Sequence, residues 1–438
     1  MRKTKLPTAM VFGWDRFGEI KLQSDIYWEE GLNDGVVVYS FENTDNFFEN
    51  FSFYHPDIIL TFGDDKNKYT EILKYADHPY IMSKWVHFSS FVGENVLAND
   101  IACQSTFWSC KSIKELFDTK DNPLFSVFTG AYKTNERIFR TYESLKKQTY
   151  SNWEWVIVDD SPEGDYKTWE YLKEIAKYDY RVKPHRISPN SGGNVGEVKH
   201  RAGMLCNGTW LVELDHDDAL ASTTFEDCLA GIKEYPDAGF VYTDCTELYE
   251  DGTFRQYGPI DPNGYGNWEE NGFTWAYCHH EWVDVDGQRV LGTYSNEINP
   301  KTIRYNMGMP NHTRIWRYDV YSEVKGHNRN VSVADDYELI VKTFLVTKFL
   351  HIKKVLYLQY NNKTSTVDLN VIDINRRARL IRDYYDTQIH ERIQSLGVED
   401  WDWIEEEGHS HQLSWWMDHT RYFEREGVMN YVYTPKNS

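Results

Sequence analysis

Positive charge is scarce in this chain, and its cysteines lack any pattern that would define a stapled or metal-bound protein. There are 47 Lys and Arg against 68 Asp and Glu, a formal charge of −21. So acidic a balance argues against a general nucleic-acid or membrane-surface binder, since both partners are polyanions. The six cysteines, at 103, 110, 206, 228, 245 and 278, form no C-x-x-C pair and no metal-ligand spacing. They read as small buried hydrophobes, with no disulfide framework implied. No stretch approaches the roughly 18 apolar residues of a membrane span. The opening M-R-K-T-K-L-P-T-A-M-V-F-G-W is basic but has only a short apolar run. The expectation is a cytoplasmic chain without export signal or transmembrane segment, whose sequons Asn50-Phe-Ser and Asn207-Gly-Thr carry no glycan.

What is present is ample core material: 438 residues, 41% hydrophobic and 16% aromatic, enough for two or three domains. Residues 1–120 read as a small α/β unit of unknown role. Its apolar runs at 35–40 and 57–63 suggest buried strands, and 68–75 a helix. Gly63-Asp64-Asp65 reads as a plain surface turn rather than a ligand turn. A boundary falls at D-T-K-D-N-P, residues 118–123.

Beyond it the pattern becomes regular. Short apolar strands are expected at 124–129, 153–158, 181–187 and from Trp210, alternating with helices at 135–147, 167–177 and from Val195. Such alternation is a doubly wound nucleotide-binding layout with a mostly parallel sheet. The last strand runs into W-L-V-E-L-D-H-D-D-A-L, where Asp215, Asp217 and Asp218 put three carboxylates within four residues. Carboxylates held that close repel one another, so they call for a cation or a network of donors. Hard oxygen ligands suit Mg²⁺ or Mn²⁺, with phosphate completing the shell. A solvated acidic turn, capped by Ser222, Thr223 or Thr224, is the plain alternative.

Four segments in order carry a resemblance: V-F-T-G-A-Y-K-T-N-E-R, then W-V-I-V-D-D-S-P, then N-S-G-G-N-V-G-E-V-K-H-R-A-G, then G-T-W-L-V-E-L-D-H-D-D. From about Pro123 to Asp244 the chain resembles the nucleotide-sugar-binding half of family 2 glycosyltransferases with the GT-A fold. The resemblance implies an α/β GT-A domain over 121–370. After Asp373 the residues Ile374, Ala378, Ile381, Tyr385, Ile389 and Ile393 recur at helical intervals, so 371–438 reads as a mainly helical C-terminal extension. The resemblance places Thr129, Gly130, Tyr132, Asp160 and Lys199 at the nucleotide sugar, with Tyr132 and Asp160 near the base. Asp215 and Asp217 match the D-x-D that binds metal and, through it, the diphosphate, and Asp218 extends the cluster. His216 reads as a spacer, because alternate strand residues face opposite ways. Glycine and lysine at 130 and 133, where the family often has proline and asparagine, leave the donor's identity open.

The acidic pair in N-V-S-V-A-D-D-Y-E-L-I resembles the family's motif at a helix start, which makes Asp336 the catalytic base, with Asp335 before it. Two acids there also suit the helix dipole, a purely structural reason for them. Trp275, His312, Arg314 and Arg317 are candidates for acceptor or diphosphate contacts. Trp268, Tyr277 and Trp282 offer further faces on which sugar rings could stack, with core packing the equal alternative. His279 and His280 read as structural. The segment 361–365 resembles the polar stretch closing the family's site. The aromatic, acidic tail with His409 and His411 offers no evident ligand set.

These residues imply a metal-dependent, inverting transfer of a sugar from a nucleoside-diphosphate donor, a UDP-sugar by preference, to a hydroxyl of a glycan or other acceptor. Two rivals stay open: an inactive nucleotide-sugar or glycan binder, and a nucleotidyltransferase. The second lacks a Gly-rich, Lys/Arg-bearing loop after its first strand, and the missing G-x-G-x-x-G there disfavours a dinucleotide oxidoreductase.

Overall fold

The computed structural model describes residues 8–12, 37–88, 118–255, 265–305, 310–361, 366–397 and 430–435, with short breaks inside the longer ranges. A four-stranded parallel sheet comes first, in the order β2-β1-β3-β4, from β1 (Thr8–Phe12), β2 (Val37–Phe41), β3 (Ile58–Phe62) and β4 (Trp85–Phe88). Met10, Val11, Phe12, Ile59 and Leu60 are buried, as strands covered on both faces require. Helix α1 (Phe47–Tyr54) lays Phe47, Phe48 and Phe51 into the core. The helix expected near residue 70 is a 3₁₀ turn, Lys66–Lys68, followed by the single turn α2 (Thr70–Leu73).

The second sheet begins with β5 (Phe125–Ala131), β6 (Trp153–Asp159), β7 (Val182–Arg186) and β8 (Trp210–Glu213), joined by α3 (Ile138–Lys146), α4 (Lys167–Tyr178) and α5 (Val195–Met204). These strands are parallel, in the order β7-β6-β5-β8. The chain continues through β9 (Ala219–Leu220), α6 (Thr224–Glu234), β10 (Ala238–Tyr249), β11 (Tyr265–Glu270), β12 (Phe273–Val285) and β13 (Gln288–Tyr294). Asp286 and Gly287, both at positive φ, make the turn between β12 and β13. Then follow α7 (Pro300–Tyr305), β14 (Arg314–Arg317), α8 (Tyr318–Glu323), α9 (Asp335–Val346), β15 (Lys348–Asn361), α10 (Thr366–Ser395) and β16 (Asn430–Tyr433).

The sheet is mixed, not mostly parallel. β14 inserts antiparallel between β8 and β10, and β11 to β13 extend the β10 edge as an antiparallel meander. Burial pattern alone does not set strand direction, because a strand covered on both faces reads as one apolar run either way. β14 matters for the site, because it brings Arg314 opposite Glu213.

Helix α10 buries Ala378, Ile381, Ile389 and Ile393, the recurrence expected of its sequence, and β16 adds a parallel strand to β15. Residues 362–365, and the tail with His409 and His411, lie outside the described residues. Among the described residues no helix is long and apolar enough to cross a membrane.

Candidate active site

β8 stops at Glu213 and the chain then turns, so Asp215 to Asp218 stand beyond the strand's carboxyl end. Ligands bind at that end in open α/β sheets. Asp215 has one oxygen 3.2 Å from Lys199 Nζ and the other 3.7 Å from His312 Nε2. Asp217 faces Arg137 at 3.3 Å, and Arg140 donates to its backbone carbonyl at 3.0 Å. His216 turns to Thr134, its Nδ1 2.9 Å from Oγ1. Its separate direction comes from the turn, not from strand alternation.

Asp218 departs from the expected cluster. It is buried, and its carboxylate accepts the Tyr357 hydroxyl and the Tyr360 backbone N–H, both at 2.7 Å. Both donors belong to β15, so Asp218 fastens the turn to that strand and does not join Asp215 and Asp217. Burial, then the charges of Asp215 and Asp217, push its carboxyl well up from the usual range.

Helix α5 supplies the cation. Gly192 and Gly193, at φ 75° and 89°, make the turn before it, and Asn194 caps it by accepting the Glu197 N–H at 3.2 Å. Gly130 lets α5 lie close on β5, since a Cβ there would meet Val198 Cγ1 at 2.9 Å. Lys199 then reaches Glu213 Oε1 at 2.5 Å. Burial works against its charge, but Asp215, Glu213 and Asp335 overcome it and hold the ammonium well above the ordinary lysine range.

Glu213 is a residue of this cluster that sequence reasoning missed. A charged side chain inside W-L-V-E-L, two residues before Asp215, was the available signal. It is buried, and Arg314, its register partner on β14, brings Nη1 to 3.6 Å from Oε2. The same Nη1 is 3.0 Å from Asp336 Oδ2. Asp215, Lys199, Glu213, Arg314 and Asp336 thus form one run of alternating charge. Arg317 stands opposite Trp210, at the other end of β14, and pairs with Asp319 at 2.7 Å, so it does not reach the site.

The two acids that open α9 have different surroundings. Asp335 is buried and accepts from His327, whose Nδ1 lies 2.9 Å away. Asp336 keeps about a third of its side chain exposed, 37%, on the site side. Burial disfavours its ionisation, but Arg314 and then Lys199 prevail, leaving its carboxyl below the usual range. His312, stacked on Tyr357 at 4.5 Å, is lowered to about 4 by burial and by Arg314, so its imidazole is neutral near pH 7.

The nucleotide side is less open than expected. Tyr132 is exposed, but Asp160 is buried, its carboxylate accepting the Ser191 N–H and O–H at 2.6 Å each. Thr129 is also buried, donating to the Leu214 carbonyl at 2.7 Å and accepting from Trp155 Nε1 at 2.9 Å, so it joins strands instead of facing a ligand. Gly130 is a packing position. Trp275 pairs with Trp268 in register between β12 and β11, and its side chain lies outside the described residues. Trp282 is half exposed against Phe254.

Residues 126–277 match the family described as Glycosyl transferase family 2. The chain carries a glycosyl transferase family 2 domain. Its fold is α/β and GT-A-like, built on the mixed sheet described above. A chondroitin synthase of Escherichia coli is 26% identical over 292 residues, which cover 67% of this chain and 36% of that protein. The chain therefore spans about a third of that relative's length. Among solved structures, S. aureus TarS 1–349 in complex with UDP-GlcNAc has a TM-score of 0.41 at 17% identity, covering 62% of this chain and 72% of that one. GalNAc-T7 with UDP, GalNAc and Mn²⁺ has a TM-score of 0.41 at 14% identity, covering 70% and 60%.

Within the glycosyl transferase domain, the residues at the end of β8 fit a hard divalent cation only as a pair. Among the described residues no group of three His, Cys, Asp or Glu is arranged to hold a metal. Asp215 and Asp217 offer two carboxylates, which suits an ion that fills the rest of its shell with phosphate oxygens and water.

Proposed function

We propose that this chain is an inverting glycosyltransferase that takes a sugar from a nucleoside-diphosphate sugar, a UDP-sugar by preference, and transfers it to a hydroxyl of a growing glycan. The observation that carries the reading is the continuous run from Asp215 to Asp336. It connects a partly exposed carboxylate to the D-x-D turn through Lys199, Glu213 and Arg314. The match to family 2 and the likeness to a chondroitin synthase support it.

Asp336 accepts the proton of the acceptor hydroxyl as that oxygen attacks the anomeric carbon. The bond from that carbon to the diphosphate oxygen breaks on the opposite face, so configuration inverts and no covalent intermediate forms. Lys199 stabilises negative charge on the departing diphosphate, and Asp215 and Asp217 are the residues that would hold Mn²⁺ or Mg²⁺. When bound, the cation neutralises the leaving nucleoside diphosphate.

Titration of the purified protein with UDP, with and without Mn²⁺, tests the donor site. The expected result is metal-dependent binding that Asp217→Asn abolishes, followed by turnover of a UDP-sugar that Asp336→Asn abolishes while leaving UDP binding intact. No UDP binding in either metal state would sink the UDP assignment. Turnover unchanged in Asp336→Asn would sink the assignment of the base.

A further inference from the structure

We infer that Glu213 is a positioning residue for this transfer, a buried anion that divides the charge of Lys199 and Arg314 between the donor side and the base. The inference rests on the glycosyltransferase reading above. Glu213 is 1% exposed, and its oxygens face different cations: Lys199 at 2.5 Å from Oε1, Arg314 at 3.6 Å from Oε2. Each cation also serves a second carboxylate, Lys199 at 3.2 Å from Asp215 and Arg314 at 3.0 Å from Asp336. No other carboxylate among the described residues forms an ion pair with both cations.

The chemistry gives this placement a function. A base ion-paired to a guanidinium is weakened in proportion to the field it feels. With Glu213 against the same guanidinium, Arg314 holds Asp336 in place without taking its full basicity. Lys199 is likewise anchored at its Glu213 side, so its ammonium stays over the end of β8, shared between Glu213 and Asp215. Two other contacts fix the frame. Arg314 Nε donates to the Pro310 carbonyl at 2.9 Å, and Asp336 Oδ1 accepts the Tyr337 N–H at 2.8 Å. Glu213 therefore sets the charge between two groups whose backbones are already placed.

Loss of the Glu213 charge leaves Arg314 on Asp336 alone, while Lys199 keeps its ion pair with Asp215 and so stays on the donor side. The expected signature is a fall in kcat of about tenfold or more in Glu213→Gln, with the donor KM and the UDP affinity changed less than about threefold. Glu213→Asp, which restores the charge, recovers part of the loss. In the pair Glu213→Gln with Arg314→Gln the losses are strongly non-additive, because both substitutions act on one guanidinium. A merely structural role predicts equal losses in active fraction and UDP stoichiometry, with additive effects.

The measurement is steady-state turnover of a UDP-sugar by the full chain with Mn²⁺, alongside calorimetric UDP binding, for wild type, Glu213→Gln, Glu213→Asp, Arg314→Gln and the double variant. Unchanged kcat in Glu213→Gln, or a KM rise without a kcat fall, overturns the assignment while the donor reading stands. A wild-type chain that neither binds UDP nor turns over a UDP-sugar overturns the donor reading, and this assignment with it. Should Glu213→Gln fold poorly, Glu213→Asp carries the test: it must lose kcat rather than UDP binding.

Discussion

Arg314 and Arg317 stand at the two ends of one four-residue strand, and only Arg314 reaches the site. Antiparallel register with β8 decides this, placing Arg314 opposite Glu213 and Arg317 opposite Trp210, about 10 Å further along. The sequence R-I-W-R shows two equivalent cations; the partner strand distinguishes them. Their energetics should differ in the same way. Removal of Arg314 leaves the buried Glu213 with Lys199 alone and takes the ion-pair partner from Asp336, whereas Arg317 is about a third exposed beside Asp319. Arg314→Leu should therefore destabilise the fold by roughly 3–5 kcal/mol, and Arg317→Leu by less than about 1 kcal/mol. Urea unfolding midpoints would test it, and equal losses would contradict the register. Asp215, Asp217 and Asp336 stood out in the sequence because each is a charge at the end of an apolar run or the start of a helix, whereas Lys199, in the middle of α5, was singled out by the family resemblance alone. Asp218 was not, because the strand that turns it inward lies about 140 residues later in the chain.

At the scale of elements, two features hold the site's frame, one by charge and one by lack of a side chain. Glu154 on β6 accepts from Ser126 on β5 at 2.5 Å and from the Asn207 N–H at 2.7 Å, and pairs with Lys183 on β7. It thus ties three strands and the turn into β8. Burial opposes its charge, but Lys183 and these donors lower its carboxyl to about 2. A depressed carboxyl contributes stability that is full above its unfolded value, about 4.5, and lost as pH falls towards 2. The contribution is roughly 3 kcal/mol at neutral pH, and about half of it should vanish between pH 5 and pH 3. Glu154→Gln should remove this portion of the acid dependence, read from urea midpoints across that range. Gly196 is the other feature: a Cβ there would lie 2.3 Å from the Asn328 carbonyl oxygen and 2.5 Å from that of Val331. Gly196→Ala must push away the loop that leads to Asp335 and Asp336. The expected outcome is a drop in kcat of about tenfold or more with UDP affinity nearly kept. Equal loss of both would mean that α5 moved instead. The alternation of strand and helix from β5 to β8 was readable from apolar periodicity. The direction of β14 was not, because no local pattern encodes which way a buried strand runs.

For the whole molecule, the acidic balance makes donor binding a problem of linkage. A chain of formal charge −21 must attract a diphosphate through a few local charges. Lys199 is already shared by two carboxylates, and the D-x-D turn offers only Asp215 and Asp217 to a cation. Neither metal nor UDP should bind strongly alone, since the ion lacks ligands and the diphosphate faces carboxylates. Together each completes the other's shell. Reciprocity then requires that Mn²⁺ tighten UDP by the same factor as UDP tightens Mn²⁺, and the expected factor is about tenfold or more, roughly 1.4 kcal/mol of coupling. Calorimetry in both orders of addition measures the two factors independently. The same coupling should raise the unfolding temperature when both are present by more than the sum of the separate shifts, because each ligand stabilises the folded chain by its own occupancy. In Asp217→Asn that excess should disappear. UDP affinity indifferent to the metal would instead mean that Lys199 and its neighbours hold the diphosphate unaided, and that Asp215 and Asp217 serve the fold alone.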